Sequence, residues 1–209
     1  MFLLLAGVAA AEAPLNLTRA KAAVRAYYDT GAYHADVQAV ADAATAWLEE
    51  RVAARTADER LAMVFDIDET VLSNYQQMVS QDFGYVPVAW EQWVEQGTAA
   101  PLEPVRAVYR RARELGVAVI FLTGRSHDAE REGTLLNLER TGMTDYEQII
   151  FKSDEDTAPT AAERKAARRA QLEAKGWTII ASIGDQESDL AGGHAEKLFK
   201  LPNPFYEIP

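Results

Sequence analysis

The chain has 209 residues, 48% of them apolar and 25% charged, which suits one globular domain with a sizeable core. Its 21 lysines and arginines stand against 32 aspartates and glutamates, a net charge of −11, so it lacks the cationic surplus that binding a nucleic-acid polymer requires. There are no cysteines, which excludes thiolate metal sites, cysteine nucleophiles and disulfides, and the three histidines, His34, His127 and His194, are too dispersed for a histidine metal centre.

Residues 1–13 open with an apolar run, Phe2 to Ala11, too short to span a bilayer as a helix. Small residues follow it at Ala9, Ala10, Ala11 and Ala13, although no basic residue precedes it. This reads as the remnant of a signal peptide and predicts a secreted or periplasmic protein; the other reading is a cytoplasmic protein whose run merely begins a helix. Residues 14–209 then form one domain. Residues 14–57 are helical: Val37, Val40, Ala41, Ala44, Trp47, Leu48 and Val52 recur at three- and four-residue spacing, and Asp29-Thr30-Gly31 breaks the stretch in two.

Strands are predicted at Leu61–Ile67, Val117–Leu122, Gln148–Phe151, Thr178–Ile183 and Lys197–Leu201, with helices at Glu103–Leu115, Asp128–Thr141 and Ala161–Lys175. This alternation implies an α/β fold, a mostly parallel sheet with helices on both faces. Residues 73–101 differ. They carry Tyr75, Phe83, Tyr85, Trp90 and Trp93 directly after the first strand and read as a small cap-like insertion over the strand ends. Trp90 and Trp93, with Tyr75, Phe83 and Tyr85, are candidates to stack on a base or an aromatic leaving group; alternatively, these aromatics form the insertion's own small core.

Ligands bind at the carboxyl ends of parallel strands, and four consecutive strand ends here are polar. The first runs into Asp66-Ile67-Asp68-Glu69-Thr70, where neighbouring carboxylates repel unless a cation or a shared proton relieves them. Oxygen donors of this kind suit Mg²⁺; a calcium loop would need Gly where Val71 stands. The second ends in Thr123-Gly124-Arg125, whose hydroxyl and N–H groups could hold a phosphate oxygen. Lys152 ends the third and is placed to neutralise a phosphoryl group. Gly184-Asp185-Gln186-Glu187-Ser188-Asp189 ends the fourth, with Gly for close approach. Separately, each polar group has a commonplace explanation as a cap or a solvated side chain; their succession at four strand ends does not.

The set Asp66-x-Asp68-x-Thr70, Thr123, Lys152 and Gly184-Asp185-x-x-x-Asp189 resembles the four motifs of the haloacid dehalogenase (HAD) superfamily. Within it, Phe65 to Asn74, Phe121 to Arg125, Ile183 to Leu190 and Phe199 to Pro204 look most like the acid phosphatase branch (subfamily IIIB). That branch includes plant acid phosphatases, vegetative storage proteins and bacterial class B and C acid phosphatases. The chain departs from lipoprotein members in lacking an anchoring cysteine, so no stable membrane anchor is expected. It departs from plant members in carrying Glu187 where an aromatic residue is common.

The resemblance implies a phosphomonoesterase acting on small phosphomonoesters such as nucleotides, sugar phosphates or aryl phosphates. Asp66 would be the nucleophile and Asp68 the general acid and base. Mg²⁺ would be held by Asp66, the main-chain carbonyl of Asp68, Asp185 and Asp189. Thr123, Gly124 and Lys152 would bind the phosphoryl group, Lys152 also restraining Asp66, with Arg125 a further substrate contact. A non-catalytic storage protein and a phosphotransferase remain alternatives on the same scaffold, and a homo-oligomeric state is left open. His127, beside Asp128, is expected to be a surface residue.

Overall fold

The computed structural model describes residues 15–208; the expected signal peptide lies outside them. Two helices come first, α1 (Leu17–Asp29) and α2 (Ala32–Ala53). The Asn16 side chain caps α1 by accepting from the Thr18 and Arg19 N–H groups. Gly31 takes φ 84° between the helices, where a side chain would be strained.

The sheet is built from β1 (Arg60–Phe65), β4 (Ala118–Ser126), β5 (Gln148–Lys152), β6 (Trp177–Gly184) and β7 (Lys197–Lys200). Its order is β5-β4-β1-β6-β7 and every neighbouring pair is parallel. Helix α5 (Glu103–Glu114) precedes β4, α6 (Arg131–Arg140) follows it, and α7 (Ala161–Ala174) joins β5 to β6. Alternate residues of β1 serve opposite cores. Leu61, Met63 and Phe65 pack in the core that contains Val37, Ala41, Ala44 and Leu48 of α2 and Val105, Val108 and Ala112 of α5. Ala62 and Val64 pack in the other, with Leu172 of α7. Trp47 fastens α2 to the sheet through a 2.8 Å bond from its indole N–H to the Ile180 carbonyl.

Between β1 and α5 lie β2 (Leu72–Ser73), α3 (Tyr75–Ser80), α4 (Pro87–Gln96) and β3 (Ala100–Pro101). Strands β2 and β3 pair antiparallel, Leu72 opposite Pro101 and Ser73 opposite Ala100. The segment therefore leaves and rejoins the body at one place. Helix α4 rests on α6 so closely that a Cβ at Gly133 would overlap the Val94 carbonyl.

Helix α6 starts three residues later than the sequence predicts. Residues 127–130 form a turn instead, its geometry set by Glu130, whose carboxylate accepts from the Ser126 N–H. Among the described residues, no helix is long and apolar enough to cross a membrane.

Candidate active site

Three aspartates converge where β1 and β6 end. Asp66, Asp185 and Asp189 can each place one carboxylate oxygen within 4.8 Å of the others, and they are only 6%, 1% and 3% exposed. Asp66 follows β1 and is held in line by its N–H, which donates to the Ile183 carbonyl at 3.0 Å. Asp185 follows β6 directly. Asp189 ends a single 3₁₀ turn, η1 (Glu187–Asp189), that folds back onto the strand. The return is so tight that a Cβ at Gly184 would overlap the Asp189 side chain, so this position requires glycine.

The cation among these acids is Lys165, from α7. Its Nζ donates to Asp66 Oδ1 at 2.7 Å and also to Asp189 Oδ1. Burial works against the charge of Lys165, but Asp66 and Asp189 overcome it and hold its pKa above the usual lysine value. Burial pushes Asp66 well above the ordinary carboxylate range; Lys165 opposes that shift, and Asp189, Asp185 and Asp68 add to it. Asp185 is pushed up to about 6, by burial and by Asp189. The three buried carboxylates outnumber the cations that act on them, Lys165 in contact and Arg164 farther off, an imbalance that a bound cation would relieve. All the donors are hard oxygens, which fits a divalent ion of the magnesium or calcium type.

Supporting bonds fix the acids. Asp189 Oδ2 accepts from the Gln186 N–H at 2.9 Å. Asp185 Oδ2 accepts from Gln186 Nε2 and Asn203 Nδ2, both at 2.6 Å, whereas its Oδ1 has only a long 3.3 Å bond from Thr70. The C-terminal segment closes this side: Ile208 N–H donates to Gln186 Oε1 at 3.0 Å and Tyr206 OH to Glu69 at 2.8 Å. Glu69, in the left-handed region at φ 52°, also accepts from the Asn74 N–H at 2.6 Å. Burial, then Asp68 and Asp185, push Glu69 up to about 8.

Asp66, Asp68, Gly124, Arg125, Lys152, Trp90 and Asp185 all line one cavity of about 590 Å³. Asp68 turns away from the three-aspartate cluster: its carboxylate meets Arg125 Nη2 at 2.7 Å and Asn74 Nδ2 at 2.8 Å. Its side chain is therefore not a member of the three-aspartate cluster. Thr123 is buried, its hydroxyl accepting from the Arg125 N–H at 3.0 Å. Residues 123–125 leave the ladder because the β4–β5 register shifts between Leu122 and Ser126; Gly124 is left exposed at the cavity wall.

Three expectations are corrected. Lys152 does not restrain Asp66: it is exposed at the cavity rim, and Lys165 makes the contact. Tyr75 does not line the cavity, because it stacks on Tyr28 with centroids 3.5 Å apart. Trp93 is also turned inward, its indole N–H donating to Asn74 Oδ1 at 2.8 Å. The aromatic part of the wall is Phe83, Tyr85, Trp90, Phe205 and Tyr206. His127 is exposed and pairs with Asp128.

Sequence reasoning passed over Lys165, Asn203 and Tyr206. Asn203 fell within the resembling segment Phe199 to Pro204 without a site role, and Lys165 carried a signal in its spacing. Lys165, Arg169 and Leu172, at i, i+4 and i+7, form the buried stripe of α7 together with neighbouring Arg164. Cations on a helix's inward face require anionic or carbonyl partners, and Arg169 finds its own in the carbonyls of Asp189 and Gly193.

The family model described as "HAD superfamily, subfamily IIIB (Acid phosphatase)" matches residues 7–209. Acid phosphatase 1 of Solanum lycopersicum is 37% identical over 155 residues, 72% of this chain and 60% of that protein. The Stem 28 kDa glycoprotein of Glycine max is 38% identical over 151 residues, 69% of this chain and 59% of that one. The chain thus matches about 60% of the length of these curated relatives. The class C acid phosphatase of Bacillus anthracis shares the fold, with a TM-score of 0.74 at 23% identity over 91% of this chain and 85% of that one.

Proposed function

Because the chain belongs to the HAD superfamily, subfamily IIIB, the acid phosphatases, we propose that it hydrolyses small phosphomonoesters through an aspartyl-phosphate formed on Asp66. The observation that supports this most is the asymmetric treatment of Asp66. Lys165 holds its Oδ1, while Oδ2 has no donor among the described residues and the side chain lines the cavity.

In the first step Asp66 Oδ2 attacks phosphorus, the P–O ester bond breaks, and Asp68 gives its proton to the departing alkoxide. In the second step Asp68 takes a proton from water as the water oxygen attacks the same phosphorus, releasing inorganic phosphate and Asp66. The separation of the two acids suits this division of labour. Asp66 sits in the cluster with Lys165, and Asp68 lies beside Arg125.

Asp66, Asp185 and Asp189, with the main-chain carbonyl of Asp68, would hold Mg²⁺. When bound, the ion supplies positive charge against the phosphoryl oxygens and the transition state. Lys165 keeps Asp66 aimed and opposes the rise in its pKa that burial causes. Gly124 offers its N–H to the phosphoryl oxygens at the cavity wall, the buried Thr123 hydroxyl supports that loop through the Arg125 N–H, and Lys152 adds positive charge at the rim.

The test is turnover of p-nitrophenyl phosphate with Mg²⁺, with a chelator, and by Asp66→Asn. The expected result is activity that the chelator abolishes and that the variant lowers by more than about 10³-fold. Wild-type turnover by Asp66→Asn contradicts the assignment of the nucleophile.

A further inference from the structure

Both tryptophans of α4 end one side chain away from Asp68. Trp93 donates its indole N–H to Asn74 Oδ1 at 2.8 Å, and Asn74 Nδ2 donates to Asp68 Oδ1 at 2.8 Å. On the other side Arg125 grips the same carboxylate, with Nη2 2.7 Å from Oδ1 and Nε 3.0 and 3.1 Å from the two oxygens. Arg125 is 2% exposed. Its Nη1 donates to Thr134 Oγ1 at 3.0 Å, and its guanidinium lies 5.6 Å over the Trp90 ring. The Trp90 indole N–H donates to one oxygen of Glu130, whose other oxygen accepts from the N–H of Ser126, the residue after Arg125. Glu130 therefore joins the indole to the main chain that carries the arginine. An amide in its place would turn an NH₂ group toward one of those two donors.

We propose that Trp90 and Trp93 are positioning residues for the proton transfers of Asp68. Trp93 works through Asn74, and Trp90 works through Arg125 with Glu130 as the tie. An unbraced arginine would swing toward an incoming phosphate dianion and take the carboxyl group with it; a braced one holds the fork still. Trp90 and Trp93 thus set the geometry of the acid rather than serving as stacking surfaces for the substrate. This inference rests on the reading of Asp68 as the group that protonates the leaving oxygen.

That premise supplies the test. A nitrophenolate leaves without a proton, whereas an alkoxide needs one, so loss of a well-placed acid is felt chiefly with alkyl substrates. The readout is kcat/KM, which reports the step that expels the leaving group, for p-nitrophenyl phosphate and for a simple alkyl phosphate. It is measured with Mg²⁺ for the wild type, Asp68→Asn, Trp90→Phe, Trp93→Phe, Glu130→Gln and Arg125→Lys, with the Tm of each.

Asp68→Asn should lose about 10²-fold or more on the alkyl ester and much less on the aryl ester. The other variants should lose about tenfold on the alkyl ester and under about threefold on the aryl ester, whatever their Tm. Equal losses on both esters in these variants, with selectivity kept by Asp68→Asn, overturn the bracing alone. Larger losses on the aryl ester restore the stacking role and also overturn it. No selectivity even in Asp68→Asn overturns the reading of Asp68 and the bracing with it.

Discussion

At the scale of the residue, Lys165 faces Asp66 and Lys152 does not. Lys152 ends an apolar strand at the rim of the sheet, the position from which a lone cation is expected to reach a phosphoryl group. It is the last residue of β5, however, and its side chain stays exposed. Lys165 lies in Ala161-Ala162-Glu163-Arg164-Lys165-Ala166-Ala167-Arg168-Arg169, a charge-rich stretch of the helix predicted at Ala161–Lys175. The buried stripe shows in the spacing, but its partners, the carboxylates that follow β1 and β6, are a tertiary fact. Removing one partner of a buried ion pair costs about 3–5 kcal/mol. Lys165→Met should therefore lower the Tm and reduce kcat/KM for p-nitrophenyl phosphate by about 10²–10³-fold. Lys152→Ala should change the same two quantities little, within about 0.5 kcal/mol and about twofold. A reversed order of effects would return the role to Lys152.

At the scale of the element, the strand ends were legible and the helices inside the insertion were not. The acids, hydroxyl and glycines follow apolar strands, so the period and its interruption both show in the sequence. Within residues 73–101 the helices are short, and α4 buries only Val94 while α3 buries Gln77 and Met78. Too little apolar surface is involved to leave a helical period. The start of α6 was misplaced for a related reason, since Glu130 spends its side chain on Ser126 and Trp90 rather than on a helix cap.

The turn between β6 and η1 also makes a pH prediction. Burial, then Asp189, raise Asp185 to about 6 in the folded, metal-free protein, and burial raises Asp66 in the same direction. The unfolded chain releases these protons near pH 4, so the folded state binds more protons between about pH 4 and 6. Stability from these groups is accordingly present below pH 4 and lost as pH rises through their folded pKa values. A divalent ion competes with the same protons. The rise in Tm on replacing chelator by Mg²⁺ should therefore be larger at pH 7 than at pH 5, and smaller at both in Asp185→Asn. An equal rise at the two pH values contradicts the assignment of Asp185 as a ligand.

At the scale of the whole molecule, distant stretches meet at one point. Asp66 comes from β1, Lys165 from α7, Asp185 and Asp189 from the end of β6, and Asn203 and Tyr206 from the C-terminal segment. The alternation of strands and helices announced a parallel α/β sheet, and with it where a site would lie. The closing of that site by residues 203–208 was not legible, because the segment has no regular structure and works through single side chains and one N–H. Helix α2 shows the same dependence: its buried face is a plain helical stripe, yet only the fold shows it pressed against α5 and β6.

The measurement that bears most directly on the account is chemical trapping of the intermediate. Asp68→Asn keeps the nucleophile and lacks the base for the second step, so it should accumulate phosphorylated protein when given p-nitrophenyl phosphate and Mg²⁺. Acid quenching, borohydride reduction and peptide mass analysis should then find homoserine at position 66, and none without substrate or in the double variant with Asp66→Asn. Release of nitrophenol with position 66 unchanged, or with the phosphoryl group on any other residue, would contradict it.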